Sequence, residues 1–170
     1  TAKHNPLAKL PVLLLEDGSS IYDSRFILEY LELIYPQTPL LPSDIAGKLA
    51  AKHLEVLADG ICDAVVLIFF ERMRGANASA EWTARQMHKI EAGVNELARL
   101  IGQRKFAVGD KFGLGDIAVG ASLGYLRVRF QGFDWPSLYP SLAHYSDQLE
   151  QRNSFKQSQP YPQTITDKVV

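Results

Sequence analysis

Residues 5–32, NPLAKLPVLLLEDGSSIYDSRFILEYLE, hold the change of period that decides how this chain is read. Pro11 to Glu16 reads as a short strand rich in leucine and valine. Glu16-Asp17-Gly18-Ser19 is a turn of residues that tolerate positive φ or bond their own backbone, and a second short strand follows at about Ser20 to Tyr22. The two strands make a hairpin. Phe26, Ile27, Tyr30, Leu31 and Ile34 then recur at helical spacing, with Asp23 or Ser24 as the cap that accepts a bond from an orphan amide of the first turn. That helix stops before Pro36, because the residue ahead of a proline is pushed out of the helical region.

Working outward, Pro36-Gln37-Thr38-Pro39-Leu40-Leu41-Pro42-Ser43 cannot continue a helix and predicts a stiff, extended link. The domain boundary belongs there, with residues 1–36 before the 37–43 linker and residues 44–170 after it. Everything beyond Ser43 reads as helix. Asp44 to Arg74 is one long periodic segment, with Asp59-Gly60 the place for a bend. Ala80 to Gly102 is a second, with Trp82, Met87, Ile90, Val94, Leu97 and Leu100-Ile101 inward, and the two are expected to pack antiparallel. Gly115 to Phe130 is apolar nearly all round and predicts the buried centre of a bundle; Ser137 to Arg152 supplies a fourth helix. The polar segment from Tyr161 onward carries no periodicity.

Composition narrows the function. The chain has 170 residues, 46% of them hydrophobic and 22% charged, as in an ordinary globular protein. A formal net charge of -1 gives no electrostatic reason for a nucleic-acid partner. Apolar runs such as Leu10 to Leu15 and Ala64 to Phe70 fall far short of the roughly 20 residues needed to span a bilayer. The single cysteine, Cys62, fits a reducing, cytoplasmic setting and sits in a helical apolar stretch where a buried, inert thiol is expected.

One physical inconsistency points further. The strands of residues 11–22 are apolar on both faces, a pattern of strands covered on both sides in a larger sheet, and an isolated hairpin is marginal in water. The expectation is a strand-helix-strand unit ahead of Thr1 rather than a sheet edge lent by another chain. Asn5-Pro6, Lys9-Leu10-Pro11, Asp17-Gly18, Asp23-Ser24, Ile27 and Tyr30-Leu31, in that order and spacing, resemble the second half of the thioredoxin-like domain of cytosolic glutathione transferases. The remainder resembles their C-terminal domain, including Gly115-Asp116-Ile117 and, as in bacterial glutathione-transferase-like proteins, Ala58-Asp59-Gly60-Ile61 with Asp63-Ala64. The resemblance implies a partial α/β thioredoxin-like domain, β-β-α, followed by an all-α bundle.

It also implies a site. The peptide bond before Pro11 would be cis, exposing the backbone N–H and C=O of Leu10 to pair with the cysteinyl part of glutathione. Asp23-Ser24 would clamp the γ-glutamyl end, with the Ser24 hydroxyl and N–H on the α-carboxylate and Asp23 on the α-ammonium. A helix N-terminus suits that anion. Lys9 would reach the glycyl carboxylate as a point charge, beside the simpler reading of an exposed strand-edge lysine. His4 is read as a loop histidine. Asp116 would be the buried capping aspartate of the central helix, although Gly113 stands where the family usually has a hydroxyl, so the side-chain half of the capping box is missing. Arg72 and Arg74 suit a helix C-terminus, with approach to an acidic substrate as the alternative; the Tyr125, Arg127, Arg129 and Phe130 cluster is open to the same two readings, and packing explains its aromatics.

By the same resemblance the Tyr, Ser or Cys that governs the glutathione sulfur lies ahead of Thr1, so no catalytic residue is assigned within the chain, and no metal is expected. The function implied is a homodimeric transferase that promotes attack of the glutathione thiolate on a small hydrophobic electrophile. A glutathione-dependent disulfide reductase and a non-catalytic interaction domain of this fold are the alternatives. The intact Asp23-Ser24 pair argues against the last.

Overall fold

In the computed structural model, which describes residues 2–162, Leu13–Leu14 (β1) and Ser20–Ile21 (β2) pair antiparallel, Leu13 opposite Ile21 and Leu14 opposite Ser20. The turn between them is held by backbone bonds from Leu15 N to Ser19 O (2.9 Å) and Gly18 N to Leu15 O (3.0 Å), with Gly18 at φ +83°. The Asp17 carboxylate accepts from both the amide and the hydroxyl of Ser19, and that hydroxyl bond holds the Asp17 pKa below its usual range. The strands are shorter than the sequence suggests. Pro11 has no N–H to donate, and Leu15 and Ser19 already belong to the turn, so two residues of each strand remain for the ladder.

Helix α1 (Ser24–Ile34) follows, capped by Asp23, and none of its residues is buried. The apolar surface expected of strands covered on both sides is therefore present and largely uncovered among the described residues, with Leu14, Phe26 and Leu33 all exposed. Glu32 fixes the end of the linker, its two carboxylate oxygens accepting from Leu40 N (2.9 Å) and Leu41 N (3.0 Å). The chain divides into two compact units at this point, one ending at Leu41 and the other beginning at Pro42.

The second unit is helical: α2 (Ile45–Met73), a single 3₁₀ turn at Gly75–Asn77, α3 (Ala80–Ile101), α4 (Leu114–Arg129), α5 (Trp135–Leu138), α6 (Pro140–Glu150) and α7 (Asn153–Gln157). Helix α2 runs through Asp59-Gly60 without a break. Ser79 N donates to Glu71 Oε1 at the α2–α3 turn, and Gly93 lies against Ile61, so α3 runs back along α2 as expected of antiparallel neighbours. A Cβ at Gly93 would stand 2.6 Å from Ile61 Cγ1; glycine permits the close approach. Helix α4 runs parallel to α2, with Gly115 near Leu54 at one end and Arg72 over Phe130 at the other.

Ile61, Val65 and Ile68 from α2, Ile90, Val94 and Leu97 from α3, and Val119, Leu123 and Leu126 from α4 form the core, closed by Trp135, Leu142, Tyr145 and Leu149. The expectation of a buried α4 agrees with this. Trp82, read as inward, is 42% exposed: it sits in the first turn of α3, just beyond Ser79, whose hydroxyl accepts from its amide. The single helix expected over Ser137–Arg152 is two, because Tyr139 precedes Pro140 and takes a non-helical conformation (φ -131°, ψ 71°), while Pro140 opens α6. Helix α7 was not anticipated; its Phe155 packs on the core and edge-on to Phe112. Among the described residues no helix is long and apolar enough to cross a membrane. Of the polar segment from Tyr161, residues 163–170 lie outside the described ones.

Candidate functional site

The hairpin register sets the geometry of the first unit. Residues that face each other in the ladder sum to 34 (13 with 21, 14 with 20), so Leu10-Pro11, just ahead of β1, and Asp23-Ser24, just after β2, both lie off the Leu13–Ile21 end of the hairpin. Two segments twelve residues apart in the chain thus share one end of the hairpin, the end from which α1 departs.

Leu10–Pro11 is cis. The Leu10 side chain is 76% exposed, and among the described residues neither its amide nor its carbonyl is hydrogen-bonded. Free backbone donor and acceptor groups at an exposed residue can pair with a strand-like ligand. The preceding loop is built on Asn5, which is 1% exposed. Its Oδ1 accepts from Leu7 N (2.9 Å), its carbonyl accepts from Ala8 N (2.9 Å), and its Nδ2 donates to the Lys9 carbonyl (2.8 Å). The Ser20 hydroxyl donates to the His4 carbonyl (2.7 Å), tying β2 to the same loop. His4 is thus a loop residue that contributes its backbone. The Lys9 side chain is exposed beside the Leu10 backbone.

Across the hairpin end, the Tyr22–Asp23 peptide is also cis. Asp23 Oδ1 accepts from Arg25 N at 3.1 Å, an N-cap bond. One carboxylate oxygen is thereby engaged and the other remains available to a cation. The half-buried Ser24 opens α1, and its hydroxyl has no hydrogen-bond partner among the described residues. Amides at the start of a helix and a hydroxyl beside them suit a carboxylate ligand, and the adjacent Asp23 suits an ammonium.

Other residues singled out in the sequence take structural places. Asp116, 1% exposed, accepts from Ala107 N (2.9 Å) and Tyr145 OH (2.6 Å) on Oδ1 and from Gly113 N (2.9 Å) on Oδ2. It completes its half of the box while Gly113 adds no side-chain bond. Cys62 is a free thiol whose pKa is pushed up to about 11, chiefly by burial, which fits an inert sulfur. Arg74 reaches Glu71 (3.6 Å), Arg72 lies 4.4 Å over the Phe130 ring, and Arg129 lies 4.5 Å over Phe69. Among the described residues no group of His, Cys, Asp and Glu side chains gathers as a metal site requires.

A β-β-α unit with this hairpin end, ahead of an all-helical bundle, defines the glutathione transferase fold. The family profiles agree: the glutathione S-transferase N-terminal domain matches residues 1–34 and the C-terminal domain residues 80–148. A solved glutathione S-transferase from Methylobacterium radiotolerans, in complex with glutathione sulfonate, is 60% identical, with TM-score 0.96 over 99% of this chain and 80% of that one. A second, from Methylobacillus flagellatus with glutathione bound, is 43% identical, with TM-score 0.88 over 92% of this chain and 78% of that one. The GST-like protein YibF of Escherichia coli is 34% identical over 94% of this chain and 79% of its own length. The chain belongs to the glutathione S-transferase family. It is also 28% identical to a probable maleylacetoacetate isomerase of Drosophila melanogaster, of which it spans 63%.

Proposed function

We propose that the protein binds reduced glutathione at the hairpin end and promotes attack of its thiolate on a small hydrophobic electrophile in the cytoplasm. The carrying observation is the register that brings the unpaired Leu10 backbone and the Asp23-Ser24 helix start to one end of one hairpin. In this reading Leu10 pairs through its backbone with the cysteinyl residue and Pro11 holds that backbone in place. Ser24 and the first amides of α1 take the α-carboxylate, Asp23 takes the α-ammonium, and Lys9 takes the glycyl carboxylate. Glutathione or its sulfonate is bound in the two solved relatives named above, which supports the ligand. No residue of the chain is assigned to the sulfur.

Calorimetric titration of glutathione into the full chain tests the clamp. Ser24→Ala is expected to weaken binding by about 1.5–3 kcal/mol, the loss of a hydrogen bond to a charged group; an unchanged affinity refutes the assignment. A second reading, glutathione-dependent isomerisation of an unsaturated acid, is favoured by the likeness to the probable maleylacetoacetate isomerase. Turnover of such an acid without net consumption of glutathione would separate it from conjugation.

We assign the exposed apolar residues of α2, Ile45 (77% exposed), Leu49 (66%) and Val56, to contact with a second copy of the chain. The cleft of about 420 Å³ beside them, lined by Val56, Leu57, Gly60 and Gly93, is mainly apolar. Sedimentation at micromolar concentration is expected to show a dimer, and a single monomeric species would count against the pairing.

A further inference from the structure

The helical unit carries a second cleft, of about 530 Å³, that shares no residue with the proposed glutathione site and is independent of it. Arg104 and Lys105, from the loop after α3, and His144 and Gln148, from α6, supply its polar lining, with Pro140 and Tyr145 alongside. Among the described residues no carboxylate lines it. From these residues we infer that the cleft binds a small organic oxyanion, a phosphate ester or a carboxylate with a compact carbon skeleton.

The local structure explains why cations collect here. Gly102 ends α3 at φ +56°, its amide bonded to Ala98 O, and Arg104 N bonds back to Ile101 O, so the next residues turn off the helix axis. Arg104 is unlike its neighbours. Arg99 is held by Glu96 (2.7 Å) and Arg127 by Asp147 (2.6 Å), whereas Arg104 has no ion pair or hydrogen bond through its side chain among the described residues. Asp147, the acid adjacent in sequence to Gln148, is therefore already engaged. Lys105 lies 5.4 Å from the Phe106 ring and makes no ion pair among the described residues.

The opposite wall is fixed. His144 Nε2 and Gln148 Nε2 lie 2.8 Å apart and form a hydrogen bond that holds both side chains. Tyr145 is 2% exposed and its hydroxyl is spent on Asp116, 2.6 Å away, so it backs the cleft without offering it a polar group. The buried Asp116 is itself covered by Tyr145 and two backbone amides. Helix α6 begins beside the cleft without a side-chain cap, and its dipole adds to the positive field that the side chains create. A guanidinium can hold two oxygens of a phosphate or carboxylate at once, and Pro140 suits the carbon part of the ligand.

The test is calorimetric titration of the full chain with phenyl phosphate and, separately, with phthalate, at low salt. Saturable binding of at least one dianion is expected, weakening as salt is raised. Arg104→Gln is expected to reduce that affinity by about tenfold, as the loss of a charge-assisted contact implies, while glutathione binding stays unchanged. Preference between the probes identifies the oxyanion as phosphate or carboxylate. Absence of binding by both, or wild-type affinity in both Arg104→Gln and Lys105→Gln, overturns the proposal.

Discussion

Asp116→Ala is expected to destabilise the helical unit by about 3–5 kcal/mol, the scale on which removing one partner leaves buried polar groups uncompensated. Among the described residues its carboxylate is the only acceptor for the Ala107 amide, the Gly113 amide and the Tyr145 hydroxyl, at 2.9, 2.9 and 2.6 Å. Alanine would strand three donors, the Ala107 amide and the Tyr145 hydroxyl in buried positions and the Gly113 amide in a half-buried one. For a chain of this size the melting temperature, followed by helical circular dichroism, should fall by roughly 6–20 °C. Asp116→Asn should recover little, because its amide nitrogen must face a donor on one side. Tyr145→Phe should cost less, about 1–2 kcal/mol, since the aspartate keeps both amides. A shift of less than about 2 °C in Asp116→Ala would mean the loop is held by packing alone.

The same pair sets an alkaline limit. Burial, and then the bond to Asp116, raise the Tyr145 pKa above its ordinary value of 10.0, so the folded chain keeps a proton that the unfolded chain releases. The stabilisation is complete below the unfolded pKa and declines as pH climbs above about 10, because the unfolded state then binds fewer protons. Tyr145→Phe should remove this part of the slope.

The bundle was legible because its helices announce themselves by period and its caps by residue type. Ser79 and Asp44 precede apolar repeats and bond the amides of Trp82 and Gly47. What the pattern missed was governed by single residues. Pro140 splits the last predicted helix through its effect on Tyr139, and the apolar stripe carries across that break undisturbed. Trp82 fits the stripe by spacing, but a first-turn position left it half-open to solvent. The strands were overlong because an apolar run records side chains, whereas a ladder also needs free N–H groups that Pro11 lacks.

The candidate site was legible in part. Leu10-Pro11 and Asp23-Ser24 stand out because a short turn between two apolar runs fixes a register, and a register fixes which ends meet. The support beneath them was not read. Asn5 entered only as half of an Asn-Pro pair, yet its bond to the amide two residues on is the usual asparagine turn and was available as a local signal. The bonds from Asn5 to Lys9 and from Ser20 to His4 were not, because each depends on the path of the loop in space.

Asn5→Ala is therefore expected to weaken glutathione binding without removing any group proposed to touch the ligand. The substitution leaves the Leu7 amide and the Lys9 carbonyl unpaired around a position that is 1% exposed. Two such losses amount to about 2–4 kcal/mol once partial access of water to the loop is allowed for. In the proposed site glutathione would bind only chains whose Lys9-Leu10-Pro11 backbone is in place, so that free energy sets the upper limit of the affinity lost. Calorimetry on Asn5→Ala should show a fall that approaches this limit without exceeding it, about thirtyfold where the loss is about 2 kcal/mol. Asn5→Asp separates the two bonds: its carboxylate still accepts from Leu7 but has nothing to donate to the Lys9 carbonyl, so it should fall between alanine and wild type. Wild-type affinity in Asn5→Ala would show that the Leu10 backbone holds its place without this loop. Equal losses in Asp and Ala would place the effect on the bond to Lys9, the one that directly precedes the peptide the ligand is proposed to meet.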